Sequence, residues 1–160
     1  MVMNIKNNIK IFSESPLGFK YNNIFKDSNL DIVEAPFISL IKNLLLSPNS
    51  IYHIRYIKYK NFFLSLIRYI IIFLVSKLSR SKIVWSCHNI YEHKIKSKIA
   101  NDFFRFFLCM ISNNIIVFHK DLVNHLPKRY RNKVSVSCFG DFRDFIKSNT
   151  KKNDDFILKF

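Results

Sequence analysis

Apolar and polar positions along this chain follow two different periods. Short apolar runs, typical of buried strands, cover residues 9–13, 30–34, 51–56, 82–87, 115–118 and 134–138. Runs with helical spacing cover residues 21–26, 37–47, 62–78 and 98–112, and a shorter one begins at Asp121 and stops at Pro127. Strands that alternate with helices predict an α/β fold. We expect a doubly wound, mainly parallel six-stranded sheet with helices on both faces, which is a Rossmann-like architecture.

The run at residues 62–78, FFLSLIRYIIIFLVSKL, has the composition of a membrane segment but not its length. A bilayer span needs roughly 20 apolar residues, and a central arginine such as Arg68 costs about 3 kcal/mol on insertion. Ser65, Arg68, Ser76 and Ser79 also fall near one face of the predicted helix. We interpret the run as a crossover helix of the core that can touch a membrane surface without spanning the bilayer.

The composition narrows the class of protein and its partners. A formal net charge of +15 suits either nucleic acid or an anionic membrane. The basic residues are scattered along the whole chain and no nucleic-acid recognition motif is present, so we predict no nucleic acid and favour a membrane surface. Three cysteines without CxxC spacing argue against a disulfide framework. The N-terminus lacks the apolar region of a secretory signal, and we predict a cytoplasmic protein.

Polar residues cluster where the predicted strands end. The residues that follow strands one, four, five and six are Glu14, Gly18, His88, Asn89, His93, His119, Gly140, Asp141 and Arg143. Ligands of open α/β sheets bind outside the carboxyl ends of the strands, and these ends lie at one edge. Each residue taken alone has a structural explanation, such as a helix cap or a turn. Their convergence on one edge predicts a functional site.

The sequence disfavours a zinc site, a cysteine nucleophile and a glycine-rich phosphate-binding loop. Cys87, His88, His93 and Cys138 are residue types that bind zinc, but strand alternation sends Cys87 and His88 to opposite faces of the sheet. Cys87 is better explained as a core thiol than as a nucleophile. The chain also lacks the GxxxxGK[ST] and GxGxxG motifs. We therefore predict neither a metal nor a bound cofactor.

Four segments together resemble a known family across most of the chain. They are KIVWSCHNIYEHK, SIYHIRY, NNIIVFHKDLVNHL and KVSVSCFGDFRDF. They are similar to segments of bacterial glycosyltransferases with two Rossmann-like domains, the GT-B fold, and most closely to the family 4-like enzymes that build exopolysaccharide and O-antigen chains. The resemblance implies that residues 1–145 form the acceptor-side domain. Residues 146–160 would be the interdomain linker and the start of a donor-binding domain, so that this chain is a fragment, a product of a frameshifted gene, or half of a split enzyme that is inactive alone.

The resemblance also suggests roles for individual residues. His88 and Asn89 match a His-Asn pair that faces the interdomain cleft, and His93 matches a second histidine, although Lys94 replaces the acidic residue after it. Gly140 and Asp141 match a glycine and an acidic residue, with Phe139 in place of the preceding histidine.

The remaining assignments follow from the same comparison. The loop at Gly18 is where such enzymes bring the backbone close to the donor diphosphate, and His119 and Arg143 would line the same cleft. The candidates for the catalytic base are His88, Asp141 and Glu14.

The chemistry that the resemblance implies is transfer of a sugar from a nucleotide-sugar donor to a saccharide acceptor, which we expect to be polyprenyl-linked. The donor is a co-substrate that binds mainly the second domain. The protein would sit peripherally at the inner face of the cell membrane, with Lys58, Tyr59, Lys60 and Phe62 near the lipid surface. Two alternatives stay open: a non-catalytic α/β subunit that docks a separate donor-binding chain at a membrane, and a basic nucleic-acid-binding module.

Overall fold

A six-stranded sheet in which every neighbouring pair is parallel forms the centre of the molecule. The computed structural model describes residues 9–14, 30–59, 61–89 and 97–137. The strands are β1 (Ile9–Ser13), β2 (Leu30–Glu34), β3 (Ile51–Ile54), β4 (Lys82–Cys87), β5 (Asn114–Val117) and β6 (Val134–Val136). Their order across the sheet is β2-β1-β3-β4-β5-β6. The predicted α/β fold class is confirmed.

Helices connect the successive strands from β2 onward. They are α1 (Phe37–Leu46), α2 (Phe62–Leu78), α3 (Lys98–Ile111), α4 (Lys120–Asn124) and a 3-10 helix (Lys128–Lys133) that the sequence pattern did not predict. Side-chain caps fix the starts of α2 and α3, because Asn61 accepts the Leu64 N–H at 2.8 Å and Ser97 accepts the Ala100 N–H at 3.3 Å. The predicted helix at 21–26 and the predicted linker at 146–160 lie outside the described residues.

The core lies between one face of the sheet and the described helices. Phe12, Tyr52, Trp85 and Ile115 project from adjacent strands on this face and are at most 1% exposed. They belong to one buried cluster together with side chains from all four α-helices: Leu40, Leu44, Tyr69, Ile72, Val75, Ala100, Phe104, Leu108, Cys109, Ile111 and Leu122. On the opposite face of the sheet, Ile51 and Val84 of the central strands β3 and β4 are also buried. These central strands are thus shielded on both faces, as the near-continuous apolar strands of a parallel sheet require.

Helix α2 connects β3 to β4, which confirms the predicted crossover, and it carries buried serines on its inner side and large apolar side chains on its outer side. Ser65 and Ser76 on its inner side are 2% exposed, whereas Phe63 and Leu78 are 75% and 77% exposed. No helix in the described part of the chain has both the length and the apolar character needed to cross a bilayer.

The carboxyl end of α3 is capped by a lysine from the 3-10 helix. Lys133 Nζ donates to the carbonyl oxygens of Cys109, Met110 and Ser112 at 3.2, 3.3 and 2.8 Å. These carbonyls have no partner within α3, and a cation at this end also matches the helix dipole. The contact therefore ties the segment before β6 to the end of α3.

Candidate functional site

The strand connections change direction between β1 and β3, at the carboxyl edge of the sheet. The chain moves from β1 outward to β2 and then returns past β1 to β3, so the connections that leave these two neighbours diverge. This reversal is the usual place for a ligand in doubly wound sheets. A recess here has walls that include Glu14, Tyr52, Arg55, Lys58, Arg68 and Tyr69. It has room for about one water molecule, so a larger ligand would bind over the recess and not inside it.

Glu14, the first residue after β1, is the centre of an ion cluster. Its carboxylate accepts a hydrogen bond from the Tyr52 hydroxyl and pairs with the Arg68 guanidinium. Lys58 Nζ lies 3.4 Å from Glu14 Oε2 and donates to the Glu14 backbone carbonyl at 3.2 Å. The Glu14 side chain is only 10% exposed, so the cluster holds one nearly buried carboxylate between two cations and a hydroxyl.

The cluster is held from the other side by α1 and α2. The Arg68 guanidinium lies over the Phe37 ring at 4.3 Å, and the Tyr69 hydroxyl accepts the Lys58 backbone N–H at 2.9 Å. Burial, with Tyr69 nearby, raises the pKa of Tyr52, so its hydroxyl stays protonated and donates to Glu14. These contacts occupy both oxygens of the Glu14 carboxylate, which suits Glu14 to holding the cluster in place better than to accepting a substrate proton.

His88, directly after β4, is the middle ring of an aromatic stack along the same edge. Its imidazole lies 5.1 Å from the Tyr56 ring and 4.5 Å from the Phe118 ring, nearly parallel to both. Burial, and then the positive charge of Arg55, lower the pKa of His88. The imidazole is therefore neutral at pH 7. Of the two described candidates for a base, His88 is the better placed, because the Glu14 carboxylate is already paired with Arg68 and Tyr52.

A second histidine, His53 in β3, lies on the sheet face that also carries Ile51 and Val84. His53 Nε2 is 2.7 Å from the Ser86 hydroxyl. Burial, followed by the charges of Arg55 and His88, lowers the pKa of His53 to about 4. His53 is thus a neutral, hydrogen-bonded residue of the folded protein across the physiological range.

This neutral state predicts a loss of stability in mild acid. An unfolded histidine binds a proton below about pH 6.5, whereas folded His53 binds one only near pH 4. The stability contributed by His53 is therefore complete above pH 6.5 and falls as the pH drops toward 4, by about 2 kcal/mol at pH 5. Urea unfolding at pH 7 and pH 5 measures this difference. The difference in unfolding free energy between the two pH values should shrink by about 2 kcal/mol in His53→Gln. It should stay unchanged in His125→Gln, because His125 is exposed in the unchanged protein. An unaltered pH difference in His53→Gln would contradict the prediction.

The structure gives other predicted cleft residues more local roles. His119 is exposed, and its Nδ1 accepts the Asp121 N–H at 3.4 Å as the cap of α4, with Asp121 Oδ2 3.1 Å away. The side chain of Asn89 is exposed, and its backbone carbonyl accepts a weak hydrogen bond from the buried Cys87 thiol at 3.5 Å. His119 is therefore a helix cap, which is the structural role that a polar residue after a strand often has. Asn89 remains accessible beside His88.

The described residues of the predicted membrane-facing group pack against the protein. Tyr59 and Phe62 are half-buried, and their rings lie 5.8 and 5.4 Å from the ring of Phe104. Lys58 reaches back to Glu14. Phe63 and Leu64 are the exposed apolar side chains at this end of α2. The placement of Lys58, Tyr59 and Phe62 at a lipid surface stays a prediction.

Six of the predicted site residues lie outside the described residues: Gly18, Lys60, His93, Gly140, Asp141 and Arg143. Within the described ranges, no three His, Cys, Asp or Glu side chains are grouped in a way that could hold a metal ion.

Sequence reasoning did not identify several residues that build this edge. Arg68 and Tyr52 complete the Glu14 cluster, and Tyr56 and Phe118 enclose His88. Arg68 did carry a signal, because a single charge in a long apolar run must find a partner when the run is buried. The aromatic neighbours of His88 carried none, since their meeting depends on the register of three strands.

No family model, curated protein or solved structure matches this chain.

Proposed function

We propose that this chain is the acceptor-side domain of a glycosyltransferase of the GT-B type, in which a sugar passes from a nucleotide-sugar donor to a polyprenyl-linked saccharide. The observation that carries this proposal is the surplus of positive charge at the strand reversal. Arg55, Lys58 and Arg68 line the recess around a single carboxylate, that of Glu14. The resemblance in the sequence supports the same family, and the reaction stays a proposal.

The charge surplus suits a ligand that carries a diphosphate. Among the residues that line the recess, Glu14 is acidic and Arg55, Lys58 and Arg68 are basic, so the lining itself has more positive than negative side chains. A polyprenyl-linked acceptor and a nucleotide sugar both bear diphosphate groups, which basic side chains can neutralise without a metal ion. Because Lys58 is partly exposed at 44%, its ammonium can exchange part of its contact with Glu14 for a phosphate oxygen.

His88 would handle the proton in an inverting version of the transfer. The acceptor hydroxyl oxygen forms the new bond to the anomeric carbon while the bond from that carbon to the donor diphosphate breaks. The hydroxyl proton passes to the neutral imidazole of His88, and the nucleoside diphosphate leaves as an anion. Tyr56 and Phe118 hold the imidazole in one plane. The donor would bind on a second domain, supplied by a continuation of the chain or by a partner chain.

The proposal predicts that His88→Ala lowers sugar transfer by at least about 100-fold, because a general base contributes that much or more. The measurement is transfer from labelled nucleotide sugars to a polyprenyl-diphosphate-linked acceptor, with this chain completed by a donor-binding domain. His125→Ala is the matched control, since His125 is exposed at the end of α4. Binding of farnesyl diphosphate should persist in His88→Ala. Undiminished transfer in that variant would remove His88 from the chemistry.

One observation favours a second candidate, a non-catalytic subunit that docks a donor-binding chain at a membrane. The apolar outer side of α2 is suited to a docking role and takes no part in the edge described above. The same experiment separates the two functions. A docking subunit predicts full transfer in His88→Ala, together with loss of transfer when the outer side of α2 is made polar.

A further inference from the structure

Helix α2 presents a continuous apolar stripe to solvent. The stripe consists of five side chains that are between 38% and 77% exposed: Phe63, Ile67, Ile70, Leu74 and Leu78. At 100° per residue they fall within an arc of ~80° and follow the helix along nearly its whole length. A stripe of this kind, in a protein that also exposes Leu64 beside it, is an interaction surface more often than incidental exposure.

The inner side of the same helix is also largely apolar. Tyr69, Ile72 and Val75 pack into the core there, beside buried serines such as Ser65. Ser65 Oγ donates to the Asn61 carbonyl at 2.6 Å. A solvent-facing helix normally keeps its large apolar residues inside and polar residues outside. In α2 large apolar residues lie on both sides, so its outer side is suited to an apolar environment.

The charge on α2 and the adjacent α1 has one sign. Between Glu34 and Glu92 the sequence contains no acidic residue and eight basic ones, so neither α2 nor α1 carries a negative side chain. Lys77 lies on α2 next to the stripe, with its Nζ 5.6 Å from the Phe73 ring, and it is exposed. Arg80 is exposed just beyond the carboxyl end of the helix. Two exposed cations therefore lie beside the stripe.

We propose that the stripe on α2 docks onto the surface of a lipid bilayer that contains anionic lipid. The five apolar side chains enter the boundary between headgroups and acyl chains, and Lys77 and Arg80 contact the lipid phosphates. A second copy of this chain fits the stripe less well, because two such surfaces would bring like charges together. This docking does not depend on the sugar chemistry proposed above, and its test contains no sugar.

The test is co-sedimentation of the protein with large vesicles. Vesicles of equal parts phosphatidylglycerol and phosphatidylcholine should bind the protein at least about tenfold more tightly than vesicles of phosphatidylcholine alone. The preference should weaken as salt is raised, because salt screens exposed charges. Binding that ignores both lipid charge and salt would overturn the anionic part of the proposal.

Substitutions then locate the contact on α2. Ile67→Glu combined with Leu74→Glu should lower vesicle binding by at least about tenfold. The matched control is Ile99→Glu combined with Met110→Glu, which adds the same charge on exposed positions of α3 and should bind more tightly than the α2 pair. Replacing Lys77 and Arg80 by glutamine should weaken binding to anionic vesicles about fivefold per charge. Thermal melts of each variant confirm that it is folded, which the exposure of all these side chains favours.

Two outcomes would overturn the proposal. One is equal vesicle binding by the α2 pair and the α3 pair, which would place the contact elsewhere. The other is a dimer in light scattering that Ile67→Glu dissociates, together with no binding to either kind of vesicle. In that case a second copy of the chain would be the occupant of the stripe.

Discussion

Phe104→Ala is expected to destabilise the fold by about 4 kcal/mol, the largest effect that we predict for a single substitution. The Phe104 side chain is fully buried, and its ring is in contact with those of Tyr59, Phe62, Tyr69 and Phe103. Truncation removes the apolar area of the ring and leaves a cavity that four rigid rings cannot fill. Urea unfolding followed by circular dichroism measures the change.

A control on the same helix makes this prediction specific. Met110→Ala, at a position 44% exposed, should cost less than about 1 kcal/mol. Phe104→Leu should fall between the two and keep the protein folded for further study. A cost below about 2 kcal/mol in Phe104→Ala would show that the aromatic cluster closes around the gap. Tyr59 and Tyr69 both contact Phe104, and the Tyr69 hydroxyl accepts the backbone N–H of Lys58. The cavity should therefore also loosen Lys58 and the ion cluster that it forms with Glu14.

Glu14→Gln is expected to cost about 3 kcal/mol, because it leaves the cations of the cluster without a counter-charge. Glutamine has nearly the same shape, so packing is retained and the loss is electrostatic. Arg68 is held against Phe37 and is 25% exposed, which limits how far its guanidinium can move toward water. The measurement is the free energy of unfolding in urea at pH 7.

Two further variants separate charge from other causes. Asp31→Asn removes an exposed carboxylate from the edge strand β2 and should change the stability by less than about 0.5 kcal/mol. Removing both partners in Glu14→Leu with Arg68→Leu should recover much of the loss, since an apolar pair can replace a buried ion pair. If Glu14→Gln were as stable as the unchanged protein, Glu14 would not hold the cluster together.

Most of the fold could be predicted because its strands are mostly apolar and the central strands β3 and β4 are almost fully buried. Such strands are short apolar runs with clear ends, and the bounds of β1, β2 and β4 agree with those expected. Prediction was less accurate where tertiary contacts decide. β3 ends at Ile54, two residues early, and the following Arg55 and Tyr56 turn out to the functional edge. The 3-10 helix at Lys128–Lys133 has no apolar period, and a contact with α3 through Lys133 helps to hold it.

The site could be predicted only in part, for a reason that lies in the geometry of the sheet. The end of each apolar run tells which residues lie at the carboxyl edge of the sheet, and it identified Glu14 and His88 as site residues. It does not tell which strands are neighbours. The meeting of Glu14 with Tyr52 depends on β1 pairing with β3, and the stack of His88 on Phe118 depends on β4 pairing with β5. The sequence pattern showed that the serines of α2 share one face of the helix, but it did not tell that this face packs on the sheet.

The ion cluster also has a consequence for the order of folding. Glu14 meets Tyr52 and Lys58 across 38 and 44 residues of chain, and its pairing with Arg68 reaches further still. Closing loops of this length is slow compared with forming a helix. Helix α2 can therefore form before the Glu14 cluster closes, since the cluster also needs β1 and β3 to have paired and α2 to have docked. During synthesis on the ribosome, β1 can pair with β2 first, whereas Glu14 lacks its full set of partners until the segment through Arg68 has emerged.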